Sequence, residues 1–275
     1  TAVVVLFLTL PVAAIFVDTG PGRLMEPAAI AEMARTVADL RLALHAMAQE
    51  DARDPWWTPV PLDLGPAPKR AALTIAPDGL DVSPEVADAL RDAARRLQAA
   101  GWEVVETACP PFRKAVALQL RLWLAEFRRT SAQAVRDEDD PDANFVYEQM
   151  SALCPEPDLD SMLDTLQARM ECVREWSLFL KDFSVLLCPV SAEPPFPDQL
   201  DVQSPAAFRR VFAAQMLQVG LPFMGLPGLT VSTGVTKGVP IGVMLVAGRF
   251  REDLLLQAGE AIEQQGAPPV PIDPR

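Results

Sequence analysis

The stretch VGLPFMGLPGLTVSTGVTKGVPIGVMLVAGRFREDLLLQAGEAIEQ, residues 219–264, decides the fold of this chain. Two segments rich in Val, Thr, Ile and Leu predict β-strands at residues 229–233 and 241–246, and the glycines between them predict a hairpin. The second segment is almost wholly apolar, which is typical of a strand covered on both faces. From about Arg251 the apolar residues recur at helical spacing. We therefore expect two adjacent central strands, followed by a helix.

The segments upstream extend this pattern. A strand at residues 69–76, a helix from Ser83 to Ala100 and a strand at residues 102–107 predict a parallel, right-handed β-α-β unit. Residues 183–190 predict another buried strand. The fold class that follows is α/β, with a mixed, largely buried β-sheet flanked by α-helices on both faces.

Three long apolar-periodic stretches predict further helices, at residues 27–49, 112–135 and 159–181. Between the last two lies the acidic segment RDEDDPD, residues 136–142. Clustered carboxylates can hold Ca²⁺ or Mg²⁺, but the ligand spacing of a known calcium loop is absent. We therefore interpret this segment as a solvated helix–helix connector, and we predict no metal site.

Three blocks of the sequence resemble the amidase signature family, whose members hydrolyse carboxamides. They are MARTVADLRLALHAMAQEDARDP at residues 33–55, FSVLLCPVSAEPP at 183–195, and GLPGLTVSTG with GVPIGVMLVAGRFRED and LLLQAGEAIE at 225–263. The resemblance implies an amidase-type layer architecture in truncated form. It also implies acyl transfer from a carboxamide to serine and then to water, without metal or cofactor.

The catalytic groups that the resemblance implies are a lysine and two serines that precede the first block. None of the nine serines lies in a Gly/Ser-rich loop, and none of the four lysines matches a catalytic position. We therefore predict no catalytic residue here and expect the chain alone to be inactive towards amides. Two alternatives stay open, namely a non-catalytic remnant or small-molecule binding module of amidase fold, and a membrane-tethered scaffold.

The substrate-binding prediction concerns two loops, residues 189–197 and 221–228, which the resemblance places side by side as one wall of the cleft. Chain at the ends of buried strands is where an open α/β sheet presents groups to a ligand. The residues that we predict to bind substrate are Pro189, Phe196, Phe223 and Met224. The alternative interpretation is ordinary core and turn packing.

Composition and charge narrow the partners. The formal net charge of −13 excludes the basic stripe that nucleic acids require, and it disfavours anionic membrane surfaces. We expect a small-molecule amide substrate if the missing half is supplied, and we leave a homo-oligomer open. The four cysteines, Cys109, Cys154, Cys172 and Cys188, are widely spaced, so we predict free thiols and a cytoplasmic protein. The one histidine, His45, is interpreted as a helix-surface or half-buried residue.

Residues 1–17, TAVVVLFLTLPVAAIFV, carry no charge and are interrupted by Pro11. The favoured interpretation is one or two buried strands bent at the proline. A membrane anchor and the remnant of a signal-peptide apolar region stay open. Apart from this segment of uncertain role, we predict one α/β domain over residues 1–275, which is the C-terminal portion of an amidase-like fold.

Overall fold

The structure is a computed structural model that describes residues 4–8, 30–52 and 57–265. Within these residues it contains seven strands: β1 Val4–Leu8, β2 Ile30–Ala34, β3 Arg70–Leu73, β4 Glu103–Glu106, β5 Val185–Pro189, β6 Gly228–Thr236 and β7 Val239–Ala247. It also contains eight α-helices: α1 Val37–Met47, α2 Pro84–Ala99, α3 Phe112–Thr130, α4 Ala132–Glu138, α5 Pro141–Leu153, α6 Leu159–Asp182, α7 Pro205–Met224 and α8 Glu252–Gln264.

The seven strands form one mixed sheet in the order β2-β1-β6-β7-β5-β3-β4. The pairs β3–β4 and β3–β5 are parallel, and the others are antiparallel. Strands β6 and β7 are neighbours in the middle of this order, as their apolar content predicted. The hairpin between them turns at Lys237 and Gly238, whose φ angles of 49° and 84° are those of the two-residue type I′ turn.

Helices cover both faces of the sheet and enclose two hydrophobic cores. One core joins α1, α2 and α8 to side chains such as Leu187 and Leu245, and the other joins α3, α6 and α7 to side chains such as Leu186 and Met244. Neighbouring residues of one strand enter opposite cores because strand side chains alternate between the two faces. This three-layer arrangement confirms the predicted α/β class with a buried mixed sheet.

The predicted β-α-β unit is present as β3, α2 and β4, and its two strands are parallel. Helix α2 begins where the sequence indicated, because the Ser83 hydroxyl accepts a hydrogen bond from the amide of Val86 and Pro84 occupies the first helical position. Strand β4 lies at the sheet edge and carries Glu103 and Glu106, and charges of this kind discourage pairing with another chain.

The predicted start of the first helix is wrong. Residues 30–34 form strand β2, which pairs antiparallel with β1, and the helix begins only at Val37. Two hydrogen bonds fix that start, since the Thr36 hydroxyl accepts from the Asp39 amide and the Glu263 carboxylate accepts from the Val37 amide. Sheet pairing and tertiary capping override the apolar periodicity, which continued upstream of Thr36.

The helical region also differs in detail. The predicted helix 112–135 is divided into α3 and α4, and α5 and most of α7 were not predicted. The acidic segment is a connector only at Asp139 and Asp140, since residues 136–138 end α4 and residues 141–142 begin α5. The carboxylate of Asp140 caps α5 by accepting hydrogen bonds from the amides of Asp142 and Ala143. The described residues contain no group of three or more His, Cys, Asp or Glu that could hold a metal ion.

Within residues 1–17, strand β1 at Val4–Leu8 pairs antiparallel with both β2 and β6. For Val4–Leu8, the structure agrees with the interpretation of this segment as a strand. Pro11 and the predicted bend lie outside the described residues. Among the helices that the structure describes, none is long and apolar enough to cross a membrane.

Candidate functional site

A cavity of about 630 Å³ opens at the carboxyl end of β5. It lies along the side of the sheet where the central strand β5 ends, and not beside an edge strand, and we call it the sheet-edge cavity. The loop after β5, one face of α7 and the middle of β6 and β7 form its walls. Its polar lining consists of Ser191, Glu193, Asp198, Gln199, Asp201, Gln215, Gln218, Thr230 and Ser232, and its apolar lining includes Val190, Pro194, Pro195, Phe196, Val211 and Ile241. Its volume is in the range of small-molecule binding sites.

The loop after β5 is held in place by backbone hydrogen bonds at Ala192. Its amide donates to the carbonyl of Ala214 in α7 at 2.9 Å, and its carbonyl accepts from the amide of Ser83 at 2.9 Å. The side-chain amide of Gln218 donates to the carbonyl of Val190 at 3.1 Å. These bonds connect the loop to two helices, so one wall of the cavity is fixed to the body of the fold.

The carboxylate in the cavity wall, Glu193, forms a two-pronged ion pair with Arg210. Arg210 donates from Nε to Oε1 at 3.0 Å and from Nη2 to Oε2 at 2.6 Å. The hydrogen bonds from Arg210 lower the pKa of Glu193, so this carboxylate is ionised at neutral pH and committed to the guanidinium. Glu193 is therefore suited to shaping the loop, and it is poorly suited to accepting a proton from a substrate.

Thr230 is the unusual polar residue of the cavity. Its side chain belongs to β6, in the register that pairs it with Met244 of β7. The hydroxyl oxygen is buried and has no hydrogen-bond partner among the described residues. An unpaired buried hydroxyl costs about 1–3 kcal/mol. Thr230 Oγ1 has almost no exposed surface, so a ligand group recovers that free energy once the side chain turns towards the cavity.

The structure separates the four residues that the sequence predicted to bind substrate. Phe196 lines the sheet-edge cavity and is half-buried. Pro189 is buried at the end of β5, where it pairs with Val243. Phe223 and Met224 belong to the last turn of α7 and are buried in the core. The substrate contacts of all four residues stay a prediction, and Phe196 is the member that lines the cavity.

The expected single wall built from loops 189–197 and 221–228 stays a prediction, and of these two loops only the first lines the sheet-edge cavity. Strands β5 and β6 both pair antiparallel with β7, so they run in the same direction. The first loop leaves at the end of β5, opposite Val243 of β7, whereas the chain enters β6 opposite Val246, nearer the other end of these strands. Residues 221–224 are moreover the last turn of α7, which ends at Gly225 in the left-handed conformation.

Potential catalytic groups are held in other interactions. Among the described residues, no hydrogen bond joins a serine or a cysteine to a lysine or the histidine. Lys114 pairs with Glu171 and Lys237 pairs with Glu85. Burial raises the pKa of Cys109 to about 11 and that of Cys188 well above its usual range, so both thiols are protonated at neutral pH. All four cysteines are free.

The sequence analysis did not identify Gln215, Gln218 and Thr230 as site residues. A signal for the two glutamines exists, because they stand three residues apart in an otherwise apolar stretch and therefore share one face of a helix. That signal requires the helix α7, which the glycine and prolines near its end concealed.

A family profile and the sequences of individual proteins both match most of this chain. The sequence profile of the family named Amidase matches residues 25–256. Indoleacetamide hydrolase of Bradyrhizobium diazoefficiens is 37% identical over 237 residues, which cover 85% of this chain and 45% of that protein. Indoleacetamide hydrolase of Bradyrhizobium japonicum is 34% identical over 237 residues, which cover 85% of this chain and 51% of that protein.

The fold resembles a solved structure of fatty acid amide hydrolase with a TM-score of 0.75 at 19% identity, and the match covers 95% of this chain and 52% of that one. At this identity the likeness concerns the fold alone. The chain spans about half the length of the curated relatives it matches.

Proposed function

The chain belongs to the amidase family, and from that premise we propose that it forms the C-terminal part of a carboxamide hydrolase. The reaction assigned to the assembled enzyme is acyl transfer from the carboxamide to a serine and then to water. The serine nucleophile and its lysine base come from outside this chain. The chain contributes one side of the substrate cleft and is inactive towards amides when it is alone.

The observation that carries the placement of the substrate is the unpaired, buried hydroxyl of Thr230 in the sheet-edge cavity. A carboxamide both donates and accepts hydrogen bonds, and so do the side-chain amides of Gln215 and Gln218 nearby. Phe196 supplies an apolar surface against which the rest of the substrate packs. Pro189, Phe223 and Met224 support this wall from the core, where they hold β5 and α7 in position.

A chimeric enzyme tests this function directly. Residues 30–265 of the chain replace the matching segment of the Bradyrhizobium diazoefficiens indoleacetamide hydrolase, and turnover of indole-3-acetamide is measured beside that of the purified chain. We expect the chimera to hydrolyse the amide and the chain alone to be inert. A folded chimera without turnover contradicts the proposal, as does turnover by the chain alone that disappears when one of its serines is replaced by alanine.

The non-catalytic alternative is a small-molecule binding module of amidase fold. This alternative is favoured by Glu193. Because Arg210 holds its carboxylate, Glu193 is poorly suited to accepting a proton, which leaves it a role in binding. Calorimetric titration of the chain with indole-3-acetamide separates the two functions. Binding by the chain together with a folded but inactive chimera supports the binding module, whereas an active chimera supports the hydrolase.

A further inference from the structure

A second cavity, of about 780 Å³, lies among α3, α4 and α5, and we call it the helical cavity. Its lining is mostly apolar and aromatic, and it comprises Trp123, Leu124, Glu126, Phe127, Thr130, Ser131, Val135, Asp142, Ala143, Val146, Tyr147, Met150 and Val202. The amide-binding groups proposed above lie outside this cavity. Its size and its aromatic walls are those of a site for a small organic ligand.

Helix α5 presents an apolar face to this cavity. Its apolar residues Ala143, Val146, Tyr147 and Met150 recur at positions i, i+3, i+4 and i+7, which is the pattern of a helix that buries one face. Yet α5 contains no buried residue, and these four side chains are only half-buried because they face the cavity. A ligand in the cavity would complete the burial of this apolar stripe.

The lining also selects the charge of the ligand. Glu126 and Asp142 are acidic, and no lysine or arginine among the described residues lines the cavity. A carboxylate would therefore lie near like charges without a partner, whereas a neutral group meets no such repulsion. The rings of Phe127 and Tyr147 lie with centroids 5.5 Å apart and join α3 to α5. Aromatic walls of this kind favour a planar ring.

The helical cavity adjoins the sheet-edge cavity. Asp201 lines the sheet-edge cavity, and the next residue, Val202, lines the helical cavity. Consecutive Cα atoms are about 3.8 Å apart, so one loop segment divides the two spaces. The two cavities therefore share this loop as a common wall.

We propose that the helical cavity binds the neutral, aromatic substituent of the carboxamide substrate. This inference rests on the proposed function and narrows the substrate class to amides that carry a bulky planar group, such as arylacetamides. The amide itself binds in the polar cavity, and the apolar face of α5 binds the ring.

The test is calorimetric titration of the purified full chain with three probes. Indole-3-acetamide contains ring and amide, indole contains only the ring, and acetamide contains only the amide. We expect indole-3-acetamide and indole to bind and acetamide to bind at least about tenfold more weakly. Indole that binds no better than acetamide overturns the proposal.

Two variants locate the binding. Val146→Lys places a charge on the lining face of α5, and it should weaken the binding of indole by about tenfold or more. Glu148→Lys places the same residue on the exposed face of the same helix and should leave the affinity within about twofold. Equal affinity of the wild type and Val146→Lys contradicts the proposal. If Val146→Lys does not fold, Ala143→Leu fills the cavity without a charge and should weaken binding in the same way.

The failures of the two proposals are distinguishable. If indole binding depends on Val146 but the chimeric enzyme hydrolyses no amide, the site stands and the hydrolase function fails. If the chimera is active and Val146→Lys leaves its KM for an arylacetamide unchanged, the function stands and the assignment of the helical cavity fails.

Discussion

At the scale of single residues, Glu252 is a carboxyl group buried at an electrostatic cost. It lies in the first turn of α8 with 3% of its surface exposed, and burial raises its pKa from 4.5 to about 7. The pairing of Arg251 with the neighbouring Asp253 leaves Glu252 without a dedicated cation. The protonated form is thus favoured by the folded state.

This burial predicts a pH dependence of stability. A carboxyl group whose pKa is raised by folding binds its proton more tightly in the folded state, so the free energy of unfolding falls as pH rises from about 4.5 towards 7. The Glu252→Gln variant has no carboxyl group to titrate and so lacks that loss. At about pH 8 its free energy of unfolding should exceed that of the wild type by at most about 3 kcal/mol. Thermal unfolding at about pH 5 and about pH 8 measures the difference. Equal wild-type-minus-variant differences at both pH values would show that Glu252 does not titrate in this range.

Gly242 is a second residue whose identity the packing dictates. A Cβ atom at this position of β7 would lie 2.7 Å from the carbonyl oxygen of Val231 in the paired strand. Backbone cannot yield as a flexible side chain can, so Gly242→Ala should destabilise the fold by about 1–3 kcal/mol. Gly248→Ala is the matched control, because its Cβ would meet nothing nearer than Arg251 Cγ at 3.9 Å. Chemical denaturation of both variants gives the comparison, and equal midpoints would refute the steric argument.

At the scale of elements, the sequence predicted those whose signal is local. Strands β6 and β7 and helix α2 each carry their own pattern of apolar residues, turn glycines or caps. Helix α7 does not, because Gly220, Pro222 and Gly225 near its end resemble turn residues. In the structure Gly220 faces α3, where an added Cβ would lie 3.4 Å from side-chain atoms of Ala115 and Val116. That contact depends on a helix a hundred residues away.

The candidate site could be predicted only in part, because much of its lining has no local signal in the sequence. The loop after β5 and Phe196 could be identified because a proline-rich segment follows a buried strand. The remaining lining comes from α7 and from the strands β6 and β7, which only the topology brings together. The direction of β5 relative to β6 is set by their common partner β7, and no local pattern reveals it.

The central position of β7 predicts a strong response to a buried charge. Val243 is fully buried between Pro189 of β5 and Val231 of β6. Val243→Asp should therefore lower the free energy of unfolding by at least about 3 kcal/mol. Val235→Asp in β6, where the side chain is 54% exposed, is the control and should change it far less. Similar losses in both variants would argue against a buried central strand.

At the scale of the whole molecule, every described strand joins one sheet, and both cores rest on it. We therefore propose that residues 1–275 fold as one domain. Its surface carries exposed apolar side chains. Four of them lie on α6 and are 49–74% exposed: Leu159, Leu163, Leu166 and Met170. Their spacing of four, three and four residues puts them on one stripe of the helix. Contiguous apolar surface of this kind promotes association.

Association of the purified chain is thus the expected behaviour, although a net charge of −13 opposes it by repulsion. Light scattering coupled to size exclusion should give a mass that rises with concentration above 29.9 kDa. Replacing Leu163 and Leu166 together by lysine should return the mass towards that of the monomer. Replacing Leu178 and Leu153 adds the same two charges, but Leu178 lies on another side of α6 and Leu153 belongs to α5, so this pair should have little effect. Equal dispersal by both pairs would mean that charge, and not the stripe on α6, governs association.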